Sequence, residues 1–129
     1  LPILFQDHNL IDYLTPEENL RLVNPKADMK ILEDLGLSRE ESKRNIMHLS
    51  GGQRQRVAVG RALVAPGRAI LADEPTGSLD PEMTDEVIDL LRHAAHQLGK
   101  CVIVVTHSKR VADSADAVYT LRHKKLAKA

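Results

Sequence analysis

The sequence lacks most features of secreted, membrane-spanning or nucleic-acid-binding proteins. Among 129 residues there is one cysteine, Cys101, which excludes an intramolecular disulfide framework. No stretch approaches the roughly 20 apolar residues that cross a bilayer, and Leu1–Phe5 is too short, and lacks the preceding basic segment, for a signal peptide. Eighteen basic residues balance eighteen acidic ones, so the net charge gives no nucleic-acid-binding footprint. We therefore expect a reducing, soluble setting and no nucleic-acid partner.

Length and composition favour one compact unit. A chain of 129 residues that is 43% hydrophobic is of the size of a single domain with a single core. The first residue is not methionine, and Leu1–Phe5 has the pattern of the end of a buried strand. We therefore expect the sequence to begin in the middle of a domain.

The first half of the chain has helical patterns. Thr15-Pro16-Glu17-Glu18 predicts a capped helix through about Val23, because threonine caps helices, proline suits their first turn and acids favour the positive helix end. A second helix is predicted from Pro25 through Leu35, and a third begins after the cap at Ser38. A fourth starts at Gly51-Gly52 and stops at Pro66-Gly67.

The second half alternates strands and helices. The apolar run Ala69–Ala72 suits a strand covered on both faces, the stretch 81–98 is a long amphipathic helix, and Cys101–Val105 reads as another buried strand. In that strand Cys101 is interpreted as a small core residue rather than a nucleophile. A short helix over 109–114 and a strand over 117–121 follow. The β-α-β order predicts a parallel sheet and an α/β fold.

The segment Leu49-Ser50-Gly51-Gly52-Gln53 has the chemistry of an anion site. Two glycines let the backbone approach a phosphate closely, and the amides at a helix start point toward it, with the Ser50 hydroxyl beside them. The simpler alternative is that Ser50 only caps a helix.

Polar residues follow both central strands. Asp73-Glu74 comes at the carboxyl end of the first strand, where ligands bind in open α/β sheets, and His107 follows the next one. In a nucleotide hydrolase the first acid would serve magnesium and the second would polarise the attacking water. Taken alone, the acids could form a solvated turn and His107 could be an ordinary surface residue.

Together these motifs resemble the ATP-binding cassette (ABC) ATPases. Gln6, Leu49–Gln53, Ile70–Pro75, Ser78–Asp80 and His107 occur in the order of that family's glutamine loop, signature, Walker B motif, D-loop and switch histidine. The form Asp73–Asp80 is similar to the subgroup of lipoprotein release and of macrolide and antimicrobial peptide export. The resemblance implies a partial P-loop NTPase (RecA-like) core with parallel strands over residues 67–129. Residues 1–66 would hold the glutamine loop and an α-helical signature subdomain.

The resemblance also implies roles for single residues. Gln6 would sense magnesium and the γ-phosphate of ATP, unless it is an ordinary polar residue after a strand. The signature would bind the γ-phosphate held by an opposite subunit through Ser50, Gly51, Gly52 and Gln53. Asp73 would serve Mg²⁺, Glu74 would act as general base, Asp80 would cross the dimer interface, and His107 would hold the γ-phosphate. The implied partners are a second nucleotide-binding subunit in a head-to-tail homodimer and a transmembrane permease, on the cytoplasmic face of the cell membrane.

Two elements of the family pattern are missing. The glycine-rich loop Gly-x-x-x-x-Gly-Lys-Ser/Thr does not occur in these residues; we expect it before Gln6 in a longer chain, and we expect the isolated chain to hydrolyse ATP negligibly. The tail Arg122–Leu126 lacks the glycine usual in the family's terminal hairpin, which leaves that turn in doubt. An open sheet edge is also expected, with self-association through it.

Three alternatives remain open. A catalytically silent interaction module would keep the helical region and hydrolyse nothing. A soluble ABC-type ATPase of DNA repair is disfavoured by the short spacing of 43 positions between Gln6 and Leu49 (49 − 6 = 43), where those relatives usually carry long insertions. The arginines after the signature could also indicate RNA binding. A solvated helix face is favoured, because no aromatic residues are interleaved with these arginines and the net charge is not positive.

Overall fold

The computed structural model describes residues 3–4, as backbone, and residues 10–129. The helices in this part are Pro16–Val23 (α1), Lys30–Asp34 (α2), Arg39–Ser42 (α3), Gly51–Val64 (α4), Pro81–His96 (α5) and Lys109–Asp113 (α6), with a 3-10 helix at Ile46–His48. The strands are Ile3–Leu4 (β1), Ala69–Asp73 (β2), Cys101–Val105 (β3), Tyr119–Arg122 (β4) and Lys125–Lys128 (β5). None of these helices combines the length and the apolarity that a bilayer crossing requires.

The main sheet is parallel, as the β-α-β pattern predicted. Its strands lie in the order β1-β2-β3, and the register pairs Ala69 with Cys101 and Asp73 with Val105. Helix α5 makes the crossover between β2 and β3. Because the strands run in the same direction, the residues after Asp73 and after Val105 emerge at one edge of the sheet.

Side-chain caps begin the helices near the predicted positions. Thr15, Ser38 and Ser50 each form a reciprocal capping box with the residue three positions later, and Asp80 caps α5. Each cap satisfies helix-start N–H groups that have no partner within the helix.

Helix α2 is much shorter than the predicted span from Pro25 to Leu35. A turn closed by the Ala27 N–H and the Asn24 carbonyl occupies the start of that span. The carboxylate of Asp28 then accepts a hydrogen bond from Lys30 N at 3.0 Å, so helical structure starts only there. Gly36, with φ of 80°, ends the segment.

One hydrophobic core joins the helices to the sheet. Its buried members come from both halves of the chain and include Leu20, Leu32, Leu35, Ile46, Val57, Val59, Ile70 and Val87. Burying a Leu, Ile or Val side chain fully contributes about 1.5–3 kcal/mol. Gly60 lets α4 approach its neighbours, since a Cβ there would meet Leu35 Cδ1 at 3.0 Å. The expectation of a single core is therefore met in the described residues.

The prediction that β3 is a buried strand is wrong. Ile103 and Val105 are 53% and 55% exposed, and Cys101, the predicted core residue, is exposed as well. Val102 and Val104 pack against the core instead. The reason is that successive side chains of a strand point to opposite faces, and in the described part only one face of β3 is covered. Strand β2 is likewise fully buried only at Ile70 and Ala72.

The terminal hairpin forms without glycine. Strands β4 and β5 pair antiparallel, with Arg122 opposite Lys125, so that His123 and Lys124 make a two-residue turn. Their φ angles are 49° and 64°, as a type I′ turn requires. Non-glycine residues adopt this conformation at a cost of about 1–2 kcal/mol each, which the paired strands offset. The turn therefore forms although the glycine usual in the family is absent.

Candidate functional site

The residues after β2 and β3 meet in one small cluster. The Glu74 carboxylate accepts a hydrogen bond from the His107 backbone N–H at 2.8 Å and one from Thr106 Oγ1 at 3.2 Å. Glu74 N donates in turn to the Val105 carbonyl at 2.8 Å. The prediction that Glu74 and His107 lie at the same sheet edge is therefore confirmed. His107 is exposed to solvent at this edge.

The backbone of Glu74 is in an unusual conformation. Its φ angle is 48°, in the left-handed region that non-glycine residues seldom occupy. Such a conformation persists only where the surroundings hold it, and it is found frequently at functional sites. Here the Glu74 N–H, carbonyl and carboxylate are all hydrogen-bonded, which fixes the direction of the side chain.

The two other predicted acids lie nearby in the chain. Asp73 is exposed at the end of β2, directly before Glu74. Asp80 is the N-cap of α5, and its Oδ1 accepts a hydrogen bond from Met83 N at 2.8 Å. Asp73 thus has its carboxylate at the surface of the strand-end cluster, whereas Asp80 has a structural bond of its own.

The start of α4 is capped and open to solvent. Ser50 Oγ accepts from Gln53 N at 3.1 Å, and Gln53 Oε1 accepts from Ser50 N at 2.8 Å. Gly51 is exposed, and a Cβ built on it would meet no atom within 4 Å. A Cβ on Gly52 would lie 3.3 Å from Ser78 O. Ser50 is therefore a helix cap, and the backbone at Gly51 is open to solvent.

Gln53 is tied to a second capping box that the sequence analysis did not connect with it. Gln53 Nε2 donates to Glu41 Oε2, while Glu41 Oε1 accepts from Ser38 N at 2.9 Å. The hydrogen bond from the Ser38 amide lowers the pKa of Glu41, and the positive charges of Arg56 and Arg44 act in the same direction. Both the oxygen and the nitrogen of the Gln53 side-chain amide are thus hydrogen-bonded within the protein, so this glutamine stabilises the start of α4.

Gln55 is the most informative residue that the sequence analysis missed. Its side chain is 1% exposed; Nε2 donates to the Glu74 carbonyl at 2.9 Å, and Oε1 accepts from Ser78 N at 2.7 Å. A signal was present in the sequence, because Gln55 lies on the apolar face of α4, four positions before Val59 and three before Ala58. A buried amide on such a face must find polar partners.

The predicted site residues therefore fall into two groups in the structure. Asp73, Glu74 and His107 gather at the ends of β2 and β3, and Ser50, Gly51, Gly52 and Gln53 form the start of α4. Asp80 belongs to neither group, because it caps the start of α5. Gln55 connects the groups. Gln6 lies outside the described residues.

Comparisons with known proteins agree on one family. The family profile described as "ABC transporter" matches residues 1–77. The chain is 42% identical over 134 residues to the lipoprotein-releasing system ATP-binding protein LolD of Rickettsia prowazekii, a match over 95% of the chain and 60% of LolD. It is also 42% identical over 129 residues to the macrolide export ATP-binding/permease protein MacB of Brucella melitensis, with 92% of the chain and 20% of MacB covered.

The fold has matches among solved structures. The ATP-binding cassette MJ0796, described as a dimer in a post-hydrolysis state bound to ADP and Pi, superimposes with a TM-score of 0.86. It is 31% identical in sequence, and the match covers 98% of this chain and 62% of that one. The predicted α/β P-loop NTPase fold class is therefore confirmed. The chain spans about 60% of the length of LolD and of this cassette. A family match over residues 1–77, more than half of the 129, shows that the chain belongs to the ABC transporter family.

Proposed function

We propose that this chain supplies the signature helix and the catalytic strand ends of the nucleotide-binding subunit of an ABC transporter, which couples ATP hydrolysis to transport. The observation that carries the proposal is the Glu74 carboxylate, held at the sheet edge by His107 N at 2.8 Å and by Thr106 Oγ1. Asp73 precedes it, and the open helix start of α4 is linked to it through Gln55. ATP is the substrate, and the complete subunit is the enzyme.

Glu74 is proposed as the general base. Its carboxylate accepts hydrogen bonds from the protein but keeps further lone pairs, because two carboxylate oxygens offer about four acceptor positions. A carboxylate so oriented can accept a hydrogen bond from a water and draw its proton as that water attacks the γ-phosphate. His107 would contact the γ-phosphate through its side chain, while its backbone N–H orients Glu74.

Magnesium is the proposed cofactor beside ATP, with Asp73 as its protein ligand. The exposed carboxylate at the end of β2 fits, because Mg²⁺ in nucleotide sites is held by one or two carboxylates, waters and phosphate oxygens. Residues 10–129 contain no group of three or more His, Cys, Asp or Glu that could hold a metal by itself. Asp73 would therefore act together with the nucleotide, and Gln6 is proposed as a second contributor. When bound, the ion would offset charge on the β- and γ-phosphates.

The start of α4 is proposed to bind the γ-phosphate of ATP held by a second subunit. The first-turn N–H groups and the helix dipole favour an anion, and Gly51 is exposed, with open space where a Cβ would stand. Ser50, Gly51 and Gly52 would make the contacts, Gln53 would support the cap, and Asp80 would reach the interface. The arrangement is a head-to-tail homodimer with composite sites; the similar cassette MJ0796 is described as dimeric.

The remaining assignments extend this proposal. Residues 1–66 would form the glutamine loop, helical subdomain and signature helix, and 67–129 the distal half of the ATPase core. A transmembrane permease would be the partner and would hold the subunit on the cytoplasmic face of the membrane. Release of lipoproteins or export of macrolides is supported by the similarity to LolD and MacB.

The test is ATP hydrolysis by the polypeptide encoded by the complete open reading frame around residues 1–129. We expect Mg²⁺-dependent turnover that Glu74→Gln lowers by about 10²-fold or more, as expected for removal of a general base. The matched control Glu86→Gln, an exposed residue of α5, should hydrolyse ATP as the unsubstituted protein does. Residues 1–129 alone should show negligible hydrolysis. Absence of turnover in the complete polypeptide would favour the silent interaction module.

A further inference from the structure

Gln55 is a buried amide whose nitrogen and oxygen both hydrogen-bond to the loop after β2. The residue is 1% exposed, and it lies on the buried face of α4 that also carries Ala58 and Val59. Its Nε2 reaches the Glu74 carbonyl at 2.9 Å, and its Oε1 receives the Ser78 N–H at 2.7 Å. An apolar side chain there would leave Ser78 N without this partner, at a desolvation cost, and the Glu74 carbonyl with only the Gly77 N–H at 3.2 Å.

The two backbone groups that Gln55 binds bracket the segment between the proposed base and Asp80. Glu74 is held at φ of 48°, and the Gln55 bond to its carbonyl restrains the peptide that sets this conformation. Ser78 belongs to the same segment, and its carbonyl packs beside Gly52, where an added Cβ would lie at 3.3 Å. Helix α4 and the segment that follows β2 are therefore joined by one side chain and one close backbone contact.

We propose that Gln55 is a positioning residue that sets the orientation of Glu74 and couples it to the start of α4. The inference rests on the proposed ATPase function. Because Gln55 grips the carbonyl of Glu74, a movement of α4 on contact with a phosphate is transmitted to the carboxylate that orients water. Gln55 itself touches no substrate and acts only through Glu74 and Ser78.

The test uses the complete polypeptide and steady-state ATP hydrolysis, expressed per folded molecule from the circular dichroism signal. Gln55→Met keeps the length of the side chain and removes both hydrogen bonds. We expect kcat to fall by about 10²-fold, the scale set by a misplacement of about 1 Å. The KM for ATP should change by less than about threefold, because the interaction acts in the transition state rather than in ATP binding. The control variant Gln97→Met, which changes an exposed residue, should alter neither kcat nor KM.

A second variant supplies a readout that a purely structural role would not produce. Gln55→Glu has nearly the same shape, and in its protonated form it again offers one donor to the Glu74 carbonyl and one acceptor to Ser78 N. Burial raises the pKa of a carboxyl group. The kcat of Gln55→Glu relative to that of the unsubstituted protein should therefore rise by about tenfold between pH 8 and pH 6, whereas that of Gln55→Met should stay constant.

The outcomes separate this inference from the proposed function. If the unsubstituted protein turns over ATP and Glu74→Gln abolishes turnover, but Gln55→Met keeps kcat within about tenfold, the positioning role is overturned. A pH-independent ratio for Gln55→Glu overturns it equally. If the unsubstituted protein does not hydrolyse ATP, or if Glu74→Gln has no effect, the proposed function itself has failed.

Discussion

A substitution of Gly51 separates effects on stability from effects on activity most clearly, because no contact within the structure requires glycine at this position. It is the first helical residue of α4, it is exposed, and a Cβ on it would meet nothing within 4 Å. The first turn of α4 also contains no acidic residue. Gly51→Asp therefore replaces a flexible residue with one that the helix dipole favours, by about 0.3–1 kcal/mol. The free energy of unfolding should rise by that amount, which corresponds to a Tm increase of roughly 1–5 °C.

The same substitution should disable the proposed phosphate site. A carboxylate about 4 Å from a phosphate charge is repelled by about 1–4 kcal/mol between the water and protein-surface limits of the dielectric constant. At about 1.4 kcal/mol per factor of ten, kcat/KM for ATP should fall roughly 5- to 10³-fold. Gly51→Ala adds bulk without charge. Its kcat/KM should fall less, and its stability should also be kept.

Thermal unfolding of residues 1–129 and ATP hydrolysis by the complete polypeptide measure the two effects. Gln97→Asp, which adds the same charge at an exposed residue after α5, is the control and should hydrolyse ATP normally. The reasoning would be refuted by a Gly51→Asp protein that is destabilised by more than about 1 kcal/mol, or by one that is fully active.

Three further predictions follow from contacts in the structure. The pKa of Glu41 is lowered in the folded state, so this carboxylate contributes stability that is present above its unfolded pKa and lost as pH falls through the folded value. Urea denaturation at a series of pH values should therefore show that the free energy of unfolding of Glu41→Gln depends less on acid pH than that of the unsubstituted protein. Leu20 of α1 is fully buried and lies beside Gly60 of α4. Leu20→Ala should lower the free energy of unfolding by about 2–5 kcal/mol in urea denaturation, and a loss below about 1 kcal/mol would contradict this packing. Cys101 is exposed, so a thiol reagent should label residues 1–129 completely without denaturant, whereas protection until unfolding would contradict the position of β3.

Local chemistry made much of the fold predictable. The caps at Thr15, Ser38, Ser50 and Asp80 are short-range hydrogen bonds whose partners lie three residues away, so the helix starts were visible in the sequence. The parallel pairing of β2 with β3 followed from the helix between them. From that topology the meeting of Glu74 and His107 could be deduced, although not that the contact uses the His107 backbone.

What the sequence did not reveal depends on contacts between distant residues. The exposure of Ile103 reflects which neighbours cover β3, and an apolar run alone does not tell one covered face from two. The bond from Gln55 to Glu74 spans nineteen positions, and that from Gln53 to Glu41 spans twelve. The positive φ of Glu74 has no local sequence signal, because no glycine marks it.

The central claim is that each catalytic site combines Glu74 of one subunit with the Gly51 helix start of another. Mixing two impaired variants of the complete polypeptide tests it most directly. Glu74→Gln and Gly51→Asp each damage both sites of their own homodimers. In the mixed head-to-tail dimer, one site would receive both defects and the other would receive neither. Equal amounts of the two variants, exchanged to equilibrium, should therefore recover about a quarter of the unsubstituted activity, and no recovery despite proven mixed dimers would contradict the account.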